Sequence, residues 1–298
     1  MIEARPLPRR VLLAGASGTI GSAVGAQLAA EGHAVTALPR WALADPAALA
    51  AVMAEARPEV VISCIASRSG APKDAEAVDY RANRALLEAA KASGAGQFIL
   101  LSAICVQKPL LAFQHAKLRF EAELAASGIA FTIIRPTAFF KSLSGQVKRM
   151  KAGKPFLIFG DGQLTRCKPI SDGDLARFIV KAIDDPEARG KILPIGGPGP
   201  AISLREQGEL LFRVAGKEPR FKSVSPRIFD YAEKALGLGA GLSDWFAEKA
   251  EYARIARYYA TESMLVLDPA TGQYSADLTP EYGSETLESH YRRLLAES

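Results

Sequence analysis

Cysteine is scarce in this 298-residue chain: Cys64, Cys105 and Cys167 stand far apart, with none of the paired spacings of a disulfide framework or a zinc site. The three histidines, His33, His115 and His290, lack ligand spacing as well, so no metal centre is expected. No apolar run approaches the ~20 residues that a membrane helix requires. Ahead of the first strand stands only MIEARPLPR, too short for a signal or plastid transit peptide. A cytoplasmic protein is therefore expected, with peripheral membrane contact left open. Charge of one sign is not concentrated: 37 basic and 32 acidic residues give a net +5 spread along the chain. That balance suits anionic small molecules and makes no case for nucleic acid. Internal repeats, low-complexity tracts and a nucleophile elbow are also missing.

The most informative stretch present is Arg10 to Gly21, RVLLAGASGTIG. Val11 to Ala14 reads as a buried parallel strand, and it stops at a glycine turn before the helical spacing of Ala23, Val24 and Leu28. Gly15 permits the tight turn, Gly18 lets backbone amides approach a pyrophosphate, and Gly21 lets the new helix pack closely. The helix amino terminus then supplies a positive end for phosphates. Gly15, Ser17, Gly18, Thr19, Ile20 and Gly21 are the expected cofactor cradle. Strands at Ala34 to Leu38, Glu59 to Cys64, Gln97 to Leu101, Phe131 to Arg135 and Lys191 to Ile195 alternate with helical segments. That pattern predicts an α/β, Rossmann-type doubly wound parallel sheet, followed by a smaller, mostly helical C-terminal substrate domain. Gly196 to Pro200 marks the boundary. The nucleotide-binding domain is expected over 1–197, with about 141–168 contributing to the substrate pocket, and a substrate-binding or lid domain over 198–298.

Two further absences bear on chemistry. After the second strand, NAD-binding versions of this fold carry an acid for the ribose hydroxyls, whereas this chain offers Arg40 and no carboxylate. A cation there accommodates a 2′-phosphate, so NADPH is the expected cofactor. Ala66, Ser67 and Arg68, then Ser102, then Pro136 and Thr137, follow successive strands and should lie along the ligand crevice. Arg68 is read equally well as a phosphate or carboxylate partner and as a structural turn residue. The second absence is a tyrosine four residues before Lys117, where short-chain dehydrogenases keep their proton donor; Phe113 stands there instead. Lys117 remains as the catalytic candidate, holding the nicotinamide ribose or relaying a proton. Phe113, His115, Phe139 and Phe140 are candidates for substrate contact. Loss of the phenol argues against a simple ketone or alcohol and for a conjugated carbon–carbon double bond as hydride acceptor. A non-catalytic NADP-sensing regulator is the other use that a missing tyrosine permits.

Several blocks are more particular than a glycine turn: LLSAICVQKPLLAFQHAKLRFEAEL from Leu100, IRPTAFFKSLSGQV from Ile134, FGDG from Phe159, CKPIS from Cys167, LPIGGPG from Leu193 and RYYATESMLVLDPATGQYS from Arg257. Together they resemble the NADPH-dependent 8-vinyl reductases of chlorophyll and bacteriochlorophyll synthesis, an atypical extended short-chain dehydrogenase group. The resemblance implies reduction of the 8-vinyl group of a divinyl (proto)chlorophyllide to ethyl, with Lys117 as the retained lysine and Phe113 as the replaced tyrosine. It also implies a magnesium-tetrapyrrole as small-molecule substrate and possible association with photosynthetic membrane or pigment-pathway enzymes. The short leader suggests a bacterial version. Between Arg40 and Asp45 the chain is shorter than the family pattern, which puts Ala42 at the place of an adenine-contacting acid.

Overall fold

The computed structural model describes residues 7–237 and 243–296. Six parallel strands form the central sheet: β1 (Arg10–Ala14), β2 (Ala34–Leu38), β3 (Val60–Ser63), β4 (Gln97–Leu101), β5 (Ala130–Pro136) and, after a shorter strand β6 (Phe156–Phe159), β7 (Lys191–Ile195). Their spatial order is β2-β1-β3-β4-β5-β7. Side chains alternate across each strand, and both faces are buried. Leu12, Ala14, Val61, Phe98 and Leu100 meet Leu49, Leu86, Phe120 and Leu124 on one side. These last come from α2 (Pro46–Ala56), α3 (Asn83–Ala92) and α4 (Ala112–Ala126). On the other side Val11, Leu13, Ile62, Ile99 and Ile134 meet Val24 and Leu28 of α1 (Thr19–Ala30) and Leu175 and Ile179 of α5 (Asp172–Lys181). This confirms the parallel α/β sheet expected from the continuous apolar runs.

The chain turns direction between β1→β2 and β2→β3, so the crevice opens above the carboxyl ends of β1 and β3. No strand lies outside β2 among the described residues. In place of one, Arg40–Ala44 forms a single 3₁₀ turn ending at Asp45, whose carboxylate accepts from the amides of Ala47 (2.9 Å) and Ala48 (3.2 Å) and caps α2. Ala42 points into the core and is fully buried.

A second difference concerns the segment before α3. The helical spacing suggested a start near Asp79, but helix begins at Pro72 and runs as π-helix over Ala75–Ala82. Asp79 and Tyr80 face inward from this segment, and both are buried.

A third apolar cluster joins Phe140, Val147, Met150, Phe156 and Ile158 to Leu211 and Phe212 of α6 (Leu204–Val214). It is completed by Leu287 and Tyr291 of the last described helix (Leu287–Ala296). β6 pairs there in parallel with β8 (Phe221–Val224). The smaller lobe is thus assembled from three separated stretches. Two helices, α7 (Arg227–Gly237) and α8 (Asp244–Thr261), form a hairpin beside it.

The C-terminal segment is tied back by Asp174, a fully buried residue of α5. Its carboxylate accepts from the amides of Glu285 (2.9 Å) and Ser284 (3.2 Å) and from Arg177. Burial alone raises its pKa, but these donors outweigh that effect and hold it below the usual carboxylate range. A depressed carboxyl pKa contributes stability above the unfolded value of ~3.9 that is lost as pH falls through the folded one. Residues 283–286 are therefore expected to lose hydrogen-exchange protection below about pH 4, ahead of the sheet. Equal protection of both regions down to global unfolding would contradict this. Segment 283–286 leads into the last described helix, α9 (Leu287–Ala296).

Candidate active site

The glycine turn forms as its spacing suggests. Gly15 sits at φ +83, and a Cβ there would lie 2.7 Å from the Cys64 carbonyl oxygen at the end of β3. A Cβ on Gly21 would press into the Gly15 carbonyl itself, so neither position admits a side chain. Gly18 is the N-cap of α1 and carries no capping side chain. The first intrahelical bond runs from Ser22 N–H to Gly18 O (2.8 Å), so the amides of Thr19, Ile20 and Gly21 precede the helical ladder. Ser17, Gly18 and Thr19 are exposed, while the Ile20 side chain is buried and offers the site only its backbone. Lys141, from the short helix Phe140–Leu143 after β5, donates to Thr19 Oγ1 at 2.6 Å and adds a cation to this mouth. Lys141 and Thr19 are 122 positions apart, and no local pattern links them.

Arg40 is exposed at the open edge beside β2, with Trp41 next to it, 64% exposed. Across the crevice the turn after β3 is shaped by Asp74, which accepts from the amides of Arg68 and Ser69, both at 2.8 Å. Burial raises the Asp74 pKa, but the Ser69 and Arg68 donors and the charge of Arg40 bring it below its ordinary value. Arg40 and this turn are therefore close in electrostatic terms. The Arg68 side chain is exposed, as is Ala66; Ser67 is half-buried.

Lys117 lies on the buried face of α4. Its Nζ is 2.9 Å from Asp79 Oδ1, which also accepts from the Ser67 amide at 3.3 Å. The other oxygen, Asp79 Oδ2, is buried and has no protein partner. A buried carboxylate oxygen left unpaired is costly, and a ribose hydroxyl is a donor of suitable size to satisfy it. This orphan atom and the side-chain-free cradle at Gly15 and Gly21 fit a dinucleotide. Asp79 stands seven positions before Leu86, on the face that helical spacing turns inward, but a lone carboxylate there carries no signal of a partner in the sequence.

Two predicted hydroxyls are turned elsewhere. Ser102 donates to Glu121, a buried carboxylate also paired with Arg135, and Thr137 donates to the Lys168 carbonyl.

Beyond the strand ends lies a cleft of about 510 Å³. Ala103, Pro136, Thr137, Ala138 and Phe139 form one side, and Tyr259, Glu262 and Met264 form another. Most of its wall is apolar, as expected for a site taking a flat, greasy ligand. Of the four predicted substrate contacts, only Phe139 lines it. Phe140 is buried in the third cluster against His290 (5.3 Å between rings). Phe113 packs against Ile255 of α8 and close over Gly70, and His115 is exposed on α4. Arg254 and Arg257 pair with Glu233 (2.8 Å) and Asp230 (2.7 Å) of α7 and do not enter the cleft.

The cleft is not without a phenol. Tyr259 of α8 brings one from outside the nucleotide-binding half, so loss of the usual tyrosine does not by itself select an alkene over a carbonyl. The block around Cys105 and that around Met264 meet here. Gln107 donates to the Leu265 carbonyl (2.5 Å) and accepts from the Leu267 amide (2.8 Å), and Tyr258 donates to the Cys105 carbonyl (2.9 Å).

The NAD(P)H-binding family pattern matches residues 41–186. The chain is 47% identical over 323 residues to divinyl chlorophyllide a 8-vinyl-reductase, chloroplastic, of Oryza sativa subsp. indica, covering 98% of this chain and 80% of that protein. With the protein of the same name from Arabidopsis thaliana it shares 51% identity over 245 residues, or 80% of this chain and 59% of the relative. Among solved structures, the NADPH-dependent quinone oxidoreductase QOR2 of Escherichia coli in complex with NADPH superposes with a TM-score of 0.64 at 20% identity, covering 96% of this chain and 99% of that one. AtPrR2 with NADP+ and (+)pinoresinol gives 0.68 at 15% identity, covering 97% and 99%. Both share the fold. The reductase relatives are chloroplastic plant proteins, which overturns the expectation of a bacterial cytoplasmic one. Among the described residues no helix is long and apolar enough to cross a membrane. On identity that runs through nearly the whole sequence, the chain belongs to the divinyl chlorophyllide a 8-vinyl-reductase family.

Proposed function

We propose that this protein reduces the 8-vinyl group of divinyl (proto)chlorophyllide to ethyl with NADPH, a step of chlorophyll biosynthesis. The observation that carries it is 47% identity over 98% of the chain to a reductase of that name. When bound, NADPH supplies the hydride. The turn from Gly15 to Gly21 holds the pyrophosphate on the amides of Thr19 to Gly21, with Lys141 as an added countercharge. Arg40 takes the 2′-phosphate, and Lys117 and Asp79 hold the nicotinamide ribose. Pro136, Thr137 and Phe139 meet the nicotinamide and the pigment across the cleft mouth, Ala66 to Arg68 flank the pyrophosphate, and Ser102 acts through Glu121.

The substrate lobe comprises 198–298 together with 141–168. Its third cluster, which draws on both stretches, supports that division. We extend the proposal to the bacteriochlorophyll branch, whose divinyl pigment presents the same acceptor. Peripheral contact with a photosynthetic membrane or pigment enzyme is supported by Ile228, Tyr231, Trp245 and Tyr252, all exposed on α7 and α8.

Incubation with divinyl chlorophyllide and NADPH is expected to shift the Soret band to the blue. A fixed band, with NADP(H) still bound, is the result a sensing regulator gives. Arg40→Asp is expected to narrow the NADPH-over-NADH preference in kcat/KM by about tenfold or more, the worth of one charged contact of ~1.5–3 kcal/mol. Equal use of both cofactors by the unaltered protein removes Arg40 from this role.

A further inference from the structure

Reduction of a vinyl group requires a proton as well as a hydride, and the groups around the cleft differ in whether they have one to give. The Thr137 hydroxyl is spent on the Lys168 carbonyl. Gln207 donates to the Leu143 carbonyl (2.7 Å) and to Tyr291 (2.9 Å). Arg166 is held by the Ala201 carbonyl (2.6 Å) and Glu206 (2.9 Å). Glu262 accepts from Lys108 and Tyr274, both at 2.8 Å, and is an acceptor only. Lys117 is on α4, paired with Asp79, and is not part of the cleft wall.

Tyr259 differs. Its hydroxyl lies 3.9 Å from Cys105 Sγ and has no oxygen acceptor among the described residues. Its ring is 47% exposed, opening onto the cleft, whereas the adjacent Tyr258 is buried and fixes the helix by donating to the Cys105 (2.9 Å) and Lys108 (3.2 Å) carbonyls. One tyrosine therefore anchors α8, and the next lines the cleft with an O–H whose partner is the Cys105 sulfur, a weak acceptor. Burial pushes the Tyr259 phenol well above its ordinary pKa, and pushes the Cys105 and Cys167 thiols up too, so all three are protonated at neutral pH. Cys105, Cys167 and Tyr259 all line the cleft, with the phenol hydroxyl beside the Cys105 thiol.

We propose that Tyr259 is the catalytic acid that protonates the inner carbon of the 8-vinyl group. This rests on the vinyl-reductase function above. The O–H bond of the phenol breaks and a C–H bond forms at the carbon attached to the ring. The two electrons come from the nicotinamide hydride that adds to the outer carbon, and the phenolate regains its proton from water through the open side of the cleft. The proton source is thus displaced from the α4 position to α8, on the far wall.

Tyr259→Phe keeps the ring and removes only the acid. It is expected to lower kcat by about a hundredfold, in the range for loss of a general acid, with KM and NADPH affinity within about threefold. The unaltered enzyme is expected to show a solvent deuterium isotope effect on its single-turnover rate and a decline at high pH, and Tyr259→Phe to lose both. Retention of full kcat, or an unchanged isotope effect and pH profile, overturns the assignment. So does a larger loss in Cys105→Ala than in Tyr259→Phe, because the thiol would then be the donor. If the unaltered protein leaves the divinyl pigment unreduced, the functional reading fails, which is distinguishable from failure of this residue's role.

Discussion

Lys117→Met should reduce vinyl-reductase turnover by at least ~100-fold and destabilise the protein by about 3–5 kcal/mol, because it strands Asp79 as a buried charge without its cation. Both partners are almost fully enclosed, so water cannot take over the lost interaction. Asp79→Leu is expected to cost a similar amount by stranding the lysine instead. Removing both at once leaves no buried charge, and the double variant should regain most of the stability while remaining inactive. Urea midpoints with equal slopes measure the first effect, and NADPH-dependent loss of the divinyl Soret band measures the second. If the double variant recovers activity along with stability, the pair serves folding alone. If Lys117→Met is stable and active, the ion pair matters to neither.

The second large effect compares two glycines four residues apart on α1. Gly21→Ala places a methyl group inside the Gly15 carbonyl, which is backbone and cannot rotate away, so the turn itself must move. A displacement of about 1 Å at a positioning element costs on the order of 100-fold, and NADPH affinity should fall by at least that. Gly25→Ala, by contrast, meets only Leu13 Cδ2 at 3.5 Å, an ordinary contact. With better helix propensity it should bind NADPH normally and gain about 0.5–1 kcal/mol. Equal binding by the two variants would mean that close packing at Gly21 is not what shapes the cradle.

The cradle was legible in the sequence because its determinants are local. A buried strand, an obligatory glycine turn and a helix start occupy twelve consecutive residues, and each restricts its neighbours. The same holds for the Asp45 cap, where Asp-Pro ahead of an apolar helix has one economical conformation. The cleft was less legible because its walls come together over long separations. Cys105 and Tyr259 are 154 positions apart, and neither residue type announces a pairing. Phe139 and Phe140 show the limit of inference from composition: adjacent aromatic residues diverge, one to the cleft and one to the core. Asp79 shares the inward face of Asn83, Leu86 and Ala90, but its partner Lys117 is on α4, far along the chain, and nothing local joins the two. The blocks around Cys105 and Met264 stood out as particular before any reason was visible, and Gln107 supplies one by joining them at both ends of its amide.

The smaller lobe has a consequence for biogenesis. Its core takes Phe140 and Phe156 but is closed by Leu287 and Tyr291 of α9, which emerge from the ribosome long after them. The six-stranded half is complete once Ile195 has emerged and can fold while synthesis continues. The nascent protein would thus acquire its nucleotide seat about a hundred residues before the opposing wall is sealed, a window in which a chaperone would meet exposed Phe156 and Phe212 rather than a finished enzyme.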